Sequence, residues 1–542
     1  MQTNPPSSMA SLLLLLLFLL PFSSAGATTV STTIHAACRA TRFPSICEKT
    51  LSESSSLPQN PSPTDLILAA INASSSGTTT ALSLSHSILS SSSDPNHTTA
   101  ARNCIDLLTL ASHRLSSISS PSSSAPLSSA RAWTSAVLIY HYSCWSALKY
   151  VNTTSQISSA MAFLTDLQSL TSNALSMLFS LHRFGPDLYL WSPPQTERDG
   201  YWDSSSTGAV AGADLGSGST PLSRSKPDVT VCKGGSCRFD SVQAAVDSAP
   251  VNRTERFVIY IREGVYNETV RVPFEKPNLA FVGDGMGKTV LTGSLNADMV
   301  GVSTYNTATV GVQGDGFMAY NLTISNTAGP DAHQAVAYRS DSDLSILDSV
   351  ELSGHQDTLY AASLRQYFKS CTISGTVDFI FGNSASFFDN CLILILPRQL
   401  NPERGETNTV TAHGRTDPAQ TTGFVFHRST INASADYLRF FNTNPKIHRT
   451  YLGRPWKEFS RTVFLECYLE QVVRPEGWSL WDGDFALSTL FYGEYASVGP
   501  GANVSARVPW SSQVPPEHVD VYSVSNFIQG DQWIHSLVLN PI

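Results

Sequence analysis

Asp357 and Asp378 sit in unusual settings for acidic residues. The first lies in GHQDTLY (354–360) and the second in GTVDFIFGN (375–383). Most aspartates are solvated or cap turns. A pair held among aromatic and aliphatic neighbours is partly desolvated, and its two pKa values are driven apart. Gln356 beside Asp357, and Gln334 in QAVAYR (334–339), add two amides near the acids. Two close carboxylates and two amides on one face make a candidate site. Other hydrolase designs are missing: the sequence has no G-x-S-x-G elbow and no H-E-x-x-H metal motif. Neither a cofactor nor a metal is expected.

Bringing these residues to one face requires a repeating backbone. From Asp228 onward, short runs of β-branched and aliphatic residues recur, punctuated by Gly, Asn and Asp. NLTI at 321, SVEL at 349, SCTI at 370, NCLI at 390, STIN at 429 and ECYL at 466 align through Leu322, Val350, Cys371, Cys391, Thr430 and Cys467. Their separations are 28, 21, 20, 39 and 37. Several lie near one or two multiples of roughly 20, the length of a solenoid turn. Short strands at this period, without amphipathic helices between them, predict a parallel β-helix. A sandwich of hairpins is disfavoured because Asn-Gly-type turns are scarce. Turns of a β-helix stack about 4.8 Å apart. Asp357 lies seven residues after Val350, and Asp378 seven after Cys371, so the carboxylates are expected one turn apart. The same register sets Cys371 over Cys391, within the usual Cα separation of roughly 4.4–6.8 Å, and predicts a disulfide there. Gln334 precedes Gln356 by 22 residues and is expected near the same face one turn earlier.

Five motifs follow in order: GVYNE (264–268), QAVAYR, GHQDTLY, GTVDFIFGN and YLGRPW (451–456). Together they closely resemble the plant pectin methylesterases, over residues 227–542. The resemblance implies a right-handed parallel β-helix that hydrolyses the C6 methyl esters of homogalacturonan (pectin) to pectate and methanol. It makes Asp378 the nucleophile and Asp357 the acid and base. Gln356 and Gln334 become the oxyanion donors, and Arg454 the group that holds Asp378 ionised. Trp456 would bind a sugar ring through its apolar face, with Gln334, Arg454 and Thr304 of STYNTATV also touching substrate. Trp478, in EGWSLW, is a further candidate for the groove. The chain departs from the family pattern at His355, where an aromatic usually precedes Gln-Asp; it either shifts the pH dependence or is a solvated groove residue, and the second reading is favoured. Cys232 and Cys237, in VCKGGSC, replace residues that are not usually cysteine. A bridge between them would leave Cys467 as the odd thiol.

Upstream the composition changes. Residues 30–182 are rich in Ser, Ala and Leu, with apolar residues at helical spacing in ARNCIDLLTLASHRLSSI, ARAWTSAVLIYHYSCWSALKYV and QISSAMAFLTDLQSLTSNALSMLFSL. They predict an all-α antiparallel helical bundle. CRATRFPSIC, Cys104 and RAWTSAVL before Cys144 resemble the inhibitor-like pro-region of the same family. That resemblance implies a four-helix bundle with the pairs Cys38–Cys47 and Cys104–Cys144, and an inhibitor-type contact of the bundle, within one molecule or between two. The expected division is a signal peptide at 1–27, the bundle at 28–182, a Gly/Pro/Ser-rich linker at 183–226 and the catalytic domain at 227–542. Basic processing motifs of the RRLL kind are absent; only Arg198 and SRSK at 223–226 offer basic positions.

The leader SLLLLLLFLLPF and eight Asn-X-Ser/Thr sequons, at Asn72, Asn96, Asn152, Asn252, Asn267, Asn321, Asn432 and Asn503, predict secretion, and the resemblance implies the extracellular cell wall as the destination. The later sequence holds no membrane span. With 34 basic and 43 acidic residues, a net charge of −9 and no basic run, nothing suggests a nucleic-acid binder. Two other classes compete with an esterase. One is a regulatory protein whose bundle fills another enzyme's groove, against which the intact acid pair, amides and arginine speak. The other is a sugar-chain-cleaving β-helix; a calcium-dependent lyase would need a further cluster of oxygen ligands.

Overall fold

The computed structural model describes residues 25–119, 126–203 and 227–534. Most of the expected signal peptide, and SRSK at 223–226, lie outside these residues.

Helices α1 (Ala25–Cys38), α2 (Pro44–Ser52), α3 (Pro63–Ser91), α4 (Pro95–Ser119), α5 (Leu127–Lys149) and α6 (Ser155–Phe184) form the N-terminal part. Their starts are written in sequence. Ser62 and Asp65 close a capping box ahead of Pro63, and Thr154 caps α6 by accepting from the Ile157 N–H. The long helices pack in a ring, α3 on α4, α4 on α5, α5 on α6 and α6 on α3, which is a four-helix bundle. Cys38–Cys47 and Cys104–Cys144 are disulfide-bonded, as is Cys232–Cys237 at the start of the second part.

From Val229 onward every ladder between the described strands is parallel, in a sheet of 17 strands and a second of seven. The register Glu351↔Thr372↔Leu392↔Thr430↔Tyr468 runs down the first sheet. One residue earlier in each coil stand Val350, Cys371, Cys391, Ser429 and Cys467, all buried. The column therefore runs through Ser429 rather than Thr430. Just before it comes a corner at positive φ, repeated at Asn321, Ser349, Ser370, Asn390, Arg428 and Glu466, with φ between 48° and 56°.

Cys371 and Cys391 share this column, yet they are free thiols, and so is Cys467. The expected disulfide is absent for a geometric reason. Side chains in register on parallel strands keep their Cβ atoms near the strand spacing of about 4.8 Å. A disulfide needs about 3.5–4.5 Å between them. Each Sγ instead lies against carbonyls, of Leu347 and Lys369 for Cys371 and of Phe368 and Asp389 for Cys391.

A second column, Phe368, Phe388, Phe426 and Phe464, stacks face to face with centroids 4.7, 4.5 and 4.6 Å apart. Here the coil period becomes energy, since each ring is buried against its copies above and below. We expect Phe388→Ala, at the middle of the stack, to cost about 3–5 kcal/mol in denaturant unfolding. A loss below about 1 kcal/mol would mean that the stack does not hold the coils together.

Candidate active site

The second sheet positions the acids. Its register runs Tyr338↔Leu359↔Ile380↔Thr411↔Gly453. Asp357 and Asp378 each stand two residues before a member of this ladder, so they face one another across adjacent coils. The Asp357 N–H donates to the Val377 carbonyl at 3.1 Å. Both acids adopt left-handed backbone, with φ of 65° and 50°. Among non-glycine residues, Asp and Asn tolerate this best. Each acid is only 7% exposed.

Asp378 is fully engaged. Its Oδ1 accepts from Arg454 Nε at 2.8 Å and from the Thr409 hydroxyl at 2.7 Å, and its Oδ2 accepts from Arg454 Nη2 at 2.7 Å. The Thr409 hydroxyl oxygen also accepts the Asp378 N–H at 3.0 Å. Arg454 follows strand His448–Gly453 and is anchored by its own N–H on the Thr411 carbonyl. Burial works against its charge, but the bonds and charge of Asp378 outweigh that and raise its pKa. Asp357 has no such clamp. Burial first, and then the neighbouring Asp378 charge, push its carboxyl well above the usual carboxylate range, with Arg454 only partly opposing them. The pair is thus split into a member clamped by arginine and an unclamped member whose carboxyl is pushed upward.

Gln356 and Gln334 flank the pair, both half-buried. Their carbonyls are fixed by the Ala335 and Ala297 N–H groups. The ladder offset of 21 sets Gln334 level with His355, so the two glutamines are diagonal neighbours. His355 is also half-buried, and burial lowers its pKa against the opposing charge of Asp331. It is therefore less solvated than expected.

Trp456 is half-buried, its ring edge-on to Phe381 at 5.9 Å and seated on Gly414. A Cβ at Gly414 would come within 2.7 Å of that ring. Phe381 in turn stacks on Tyr360 at 4.3 Å, which gives the site an aromatic wall. Thr304 opens the short turn Thr304–Asn306 that leads into the same sheet. Trp478 does not line the groove: it is 1% exposed and stacks on Tyr492 at 4.2 Å. Trp481 takes that place, 37% exposed, with the Arg454 guanidinium 4.5 Å above its ring.

Sequence reasoning missed Thr409 and Trp481. Thr409 follows an irregular stretch after Ile395 that breaks the 20-residue count. Trp481 shares one motif with Trp478, and composition cannot sort an inward ring from an outward one. Among the described residues, no cluster of three or more His, Cys, Asp or Glu could hold a metal, and no helix is long and apolar enough to cross a membrane.

Fold and site together mark a β-helical carboxylate hydrolase with a helical companion domain. Residues 228–531 match the family described as Pectinesterase, and residues 32–177 match Plant invertase/pectin methylesterase inhibitor. The chain is 53% identical over 511 residues to Probable pectinesterase/pectinesterase inhibitor 64 of Arabidopsis thaliana, across 92% of this chain and 84% of that one. It is 45% identical over 312 residues to Pectinesterase 2 of Citrus sinensis, across 57% and 59% of the two chains. The solved pectin methylesterase from carrot superposes with a TM-score of 0.56 at 42% identity, over 59% of this chain and 98% of that one. The chain belongs to the pectinesterase family and is a carboxylic ester hydrolase.

The raised pKa of Asp357 has a consequence for stability. Its folded pKa lies above its unfolded value, so ionisation is costlier in the folded state. The stability involved is fully present below the ordinary carboxylate pKa of about 3.9 and is lost as pH rises through the folded pKa. Asp357→Asn removes that loss. We expect the variant to melt above the wild type at neutral pH and level with it near pH 3.5. Equal melting temperatures across the whole range would show that Asp357 is not held protonated.

Proposed function

We propose that the protein demethylates homogalacturonan in the cell wall, releasing methanol, by covalent catalysis at Asp378. The observation that carries this reading is the two-pronged bond from Arg454 to Asp378 beside an unclamped, buried Asp357. A nucleophilic carboxylate must be ionised and aimed, and the guanidinium does both.

An Asp378 carboxylate oxygen attacks the C6 carbonyl carbon of a methyl galacturonate. The carbonyl π electrons move to oxygen, and the side-chain amides of Gln356 and Gln334 stabilise the oxyanion. Collapse breaks the bond to methoxide, which takes the Asp357 proton and leaves as methanol. The remaining acyl group is bound to Asp378 as an anhydride. Ionised Asp357 then takes a proton from water, the hydroxide attacks the acyl carbon, and collapse returns Asp378 as carboxylate and the sugar as free acid. Trp456 and Trp481 supply apolar faces for sugar rings. The leader and the sequons support export to the wall.

A second reading concerns the bundle. Asn103 of α4 bonds Ser303 and exchanges amide bonds with Asn306, on either side of Thr304. Tyr142 of α5 lies under the Lys457 ammonium at 4.7 Å, next to Trp456. These contacts support the bundle acting as an intramolecular obstruction on the polymer-binding face, with 28–182 as inhibitor-like unit and 227–542 as catalytic unit.

Methanol release from methylated pectin tests both readings. Asp378→Asn is expected to lower kcat roughly 10⁴-fold or more, and Gln356→Ala about 10²–10³-fold. The 227–542 fragment should turn over faster than the full chain, and EDTA should change neither rate. Sugar-chain cleavage without methanol, or wild-type turnover by Asp378→Asn, would sink the esterase mechanism.

A further inference from the structure

The stretch expected to be the first half of the linker is not one. After α6 the chain turns and lays Trp191 into the bundle core, where it is 3% exposed, its indole N–H donating to the Gly185 carbonyl at 2.9 Å. Thr196 and Asp199 close a capping box around the short turn Glu197–Asp199. That box fixes the backbone from which Glu197 points into the β-helix.

Glu197 is 8% exposed. Its Oε1 accepts from Arg461 Nη1 at 2.7 Å and from the Tyr522 hydroxyl at 3.2 Å, while its Oε2 lies 3.7 Å from Arg415 Nη1. Two buried arginines of neighbouring coils therefore share one carboxylate that comes from outside the coils. Burial pushes the Glu197 pKa up, but the two guanidiniums outweigh burial and keep the carboxyl below its ordinary value. Arg198, alongside, donates to the Trp510 and Leu487 carbonyls, both at 3.2 Å. Trp202 stacks on His518 at 4.4 Å and meets Phe491 edge-on at 5.5 Å.

The same segment is tied to the bundle. Arg131 of α5 bonds Asp203 at 3.2 Å, and Tyr201 meets Phe179 of α6 edge-on at 5.4 Å. Residues 191–203 are thus stitched to both domains before the chain reaches 204–226. The latch also lies close to the groove. Arg415 follows Gly414, on which Trp456 sits, and its carbonyl accepts the Phe459 N–H of the Arg454–Ser460 loop at 3.0 Å.

We propose that residues 191–203 are a docking strap, that Glu197 in the Arg415–Arg461–Tyr522 site is its latch, and that chain cleavage within 204–226 leaves the bundle bound to the catalytic coils. This rests on the reading of the bundle as an obstruction. It deepens that reading by separating two events, the cut and the departure. Cutting alone does not bare the groove; the strap must be pulled from its arginine site, and the partner that holds it there is this chain's own carboxylate.

The test inserts a specific protease site within 204–226 of the full chain, with an affinity tag on the bundle side. After cutting, wild-type fragments should co-elute in gel filtration and be retained together on the tag. Glu197→Gln removes the latch charge, and Trp202→Ala loosens the strap while leaving the arginines compensated. Both should speed fragment separation at least tenfold, with the circular dichroism of the uncut chains unchanged. Separation of the wild type as soon as it is cut, or a Glu197→Gln variant that parts no faster, would overturn the strap. Methanol release, followed in the same samples, is a separate readout. Co-eluting fragments that are fully active would retain the strap and refute the obstruction.

Discussion

Everything at the site depends on the register between two coils. A pair of aspartates repels itself, and no single turn of chain would hold two acids together in a buried place. The β-helix does so because the ladder from Leu359 to Ile380 is fixed by backbone bonds and by the apolar columns inside. Once that register is set, Asp357 and Asp378 have no freedom to separate. The cost of their proximity is relieved chemically rather than geometrically, because Arg454 clamps one carboxylate while burial and that neighbouring charge push the pKa of the other upward. The asymmetry between the two acids follows from a single guanidinium placed on one side of an otherwise repeated position.

The same repetition explains the strain. Corner residues at positive φ recur once per coil in the first sheet, and both acids occupy left-handed backbone next to the second. A column of this kind turns each side chain the same way, so a repeat that shapes the coil also aims the acids. The Gly382 position illustrates how tight the stacking is. Its φ is +131°, and a Cβ there would come within 1.9 Å of the Ala361 carbonyl. Glycine is required where one coil's backbone crosses the next. Little slack remains for the acids to adjust, which suits a site whose chemistry needs fixed distances.

Much of this was legible in the sequence, and the limits have physical causes. The 20- and 21-residue steps from Val350 to Cys371 to Cys391 gave the stacking of the acids directly, because the side-chain direction repeats with the coil. The step to Ser429 was misjudged by one residue, since a loop after Ile395 lengthens that turn and period counting cannot locate the extra residues. The Cys371–Cys391 bridge failed for a subtler reason: Cα spacing in a ladder suits a disulfide, whereas in-register Cβ spacing does not. Trp478 and Trp481 could not be told apart, as burial is set by which way a turn faces. Residues 191–203 depart from the linker reading because composition reports on flexibility in isolation. A single carboxylate such as Glu197, meeting two distant arginines, orders a segment whose own residues argue for none.

Part of the contact between the domains sets helix donors against β-helical carboxylates: Arg114 grips Asp315 at 2.5 and 2.6 Å, the Trp133 indole reaches Asp343 at 2.9 Å, and the Ser172 hydroxyl reaches Asp417 at 2.6 Å. Elsewhere the direction reverses, and Tyr305 and Gln313 of the β-helix donate to Asp106 of α4. Removing one partner of a buried pair usually strands the other. Here the β-helical side is protected against that. Asp343 keeps two bonds from Arg365 within its own domain, Asp417 keeps the Ala419 N–H, and the Asp315 side chain is already 35% exposed. The arginines under Glu197 likewise retain carbonyl partners, Thr422 for Arg461 and Pro418 for Arg415. At these acids the interface can part without leaving the catalytic coils with bare buried charge, because each keeps a partner on its own side or is already exposed. Arg415 and Arg461 are the exception: carbonyls remain to them, but the Glu197 carboxylate would depart with its segment. The cost to the coils of parting is therefore concentrated at that one carboxylate.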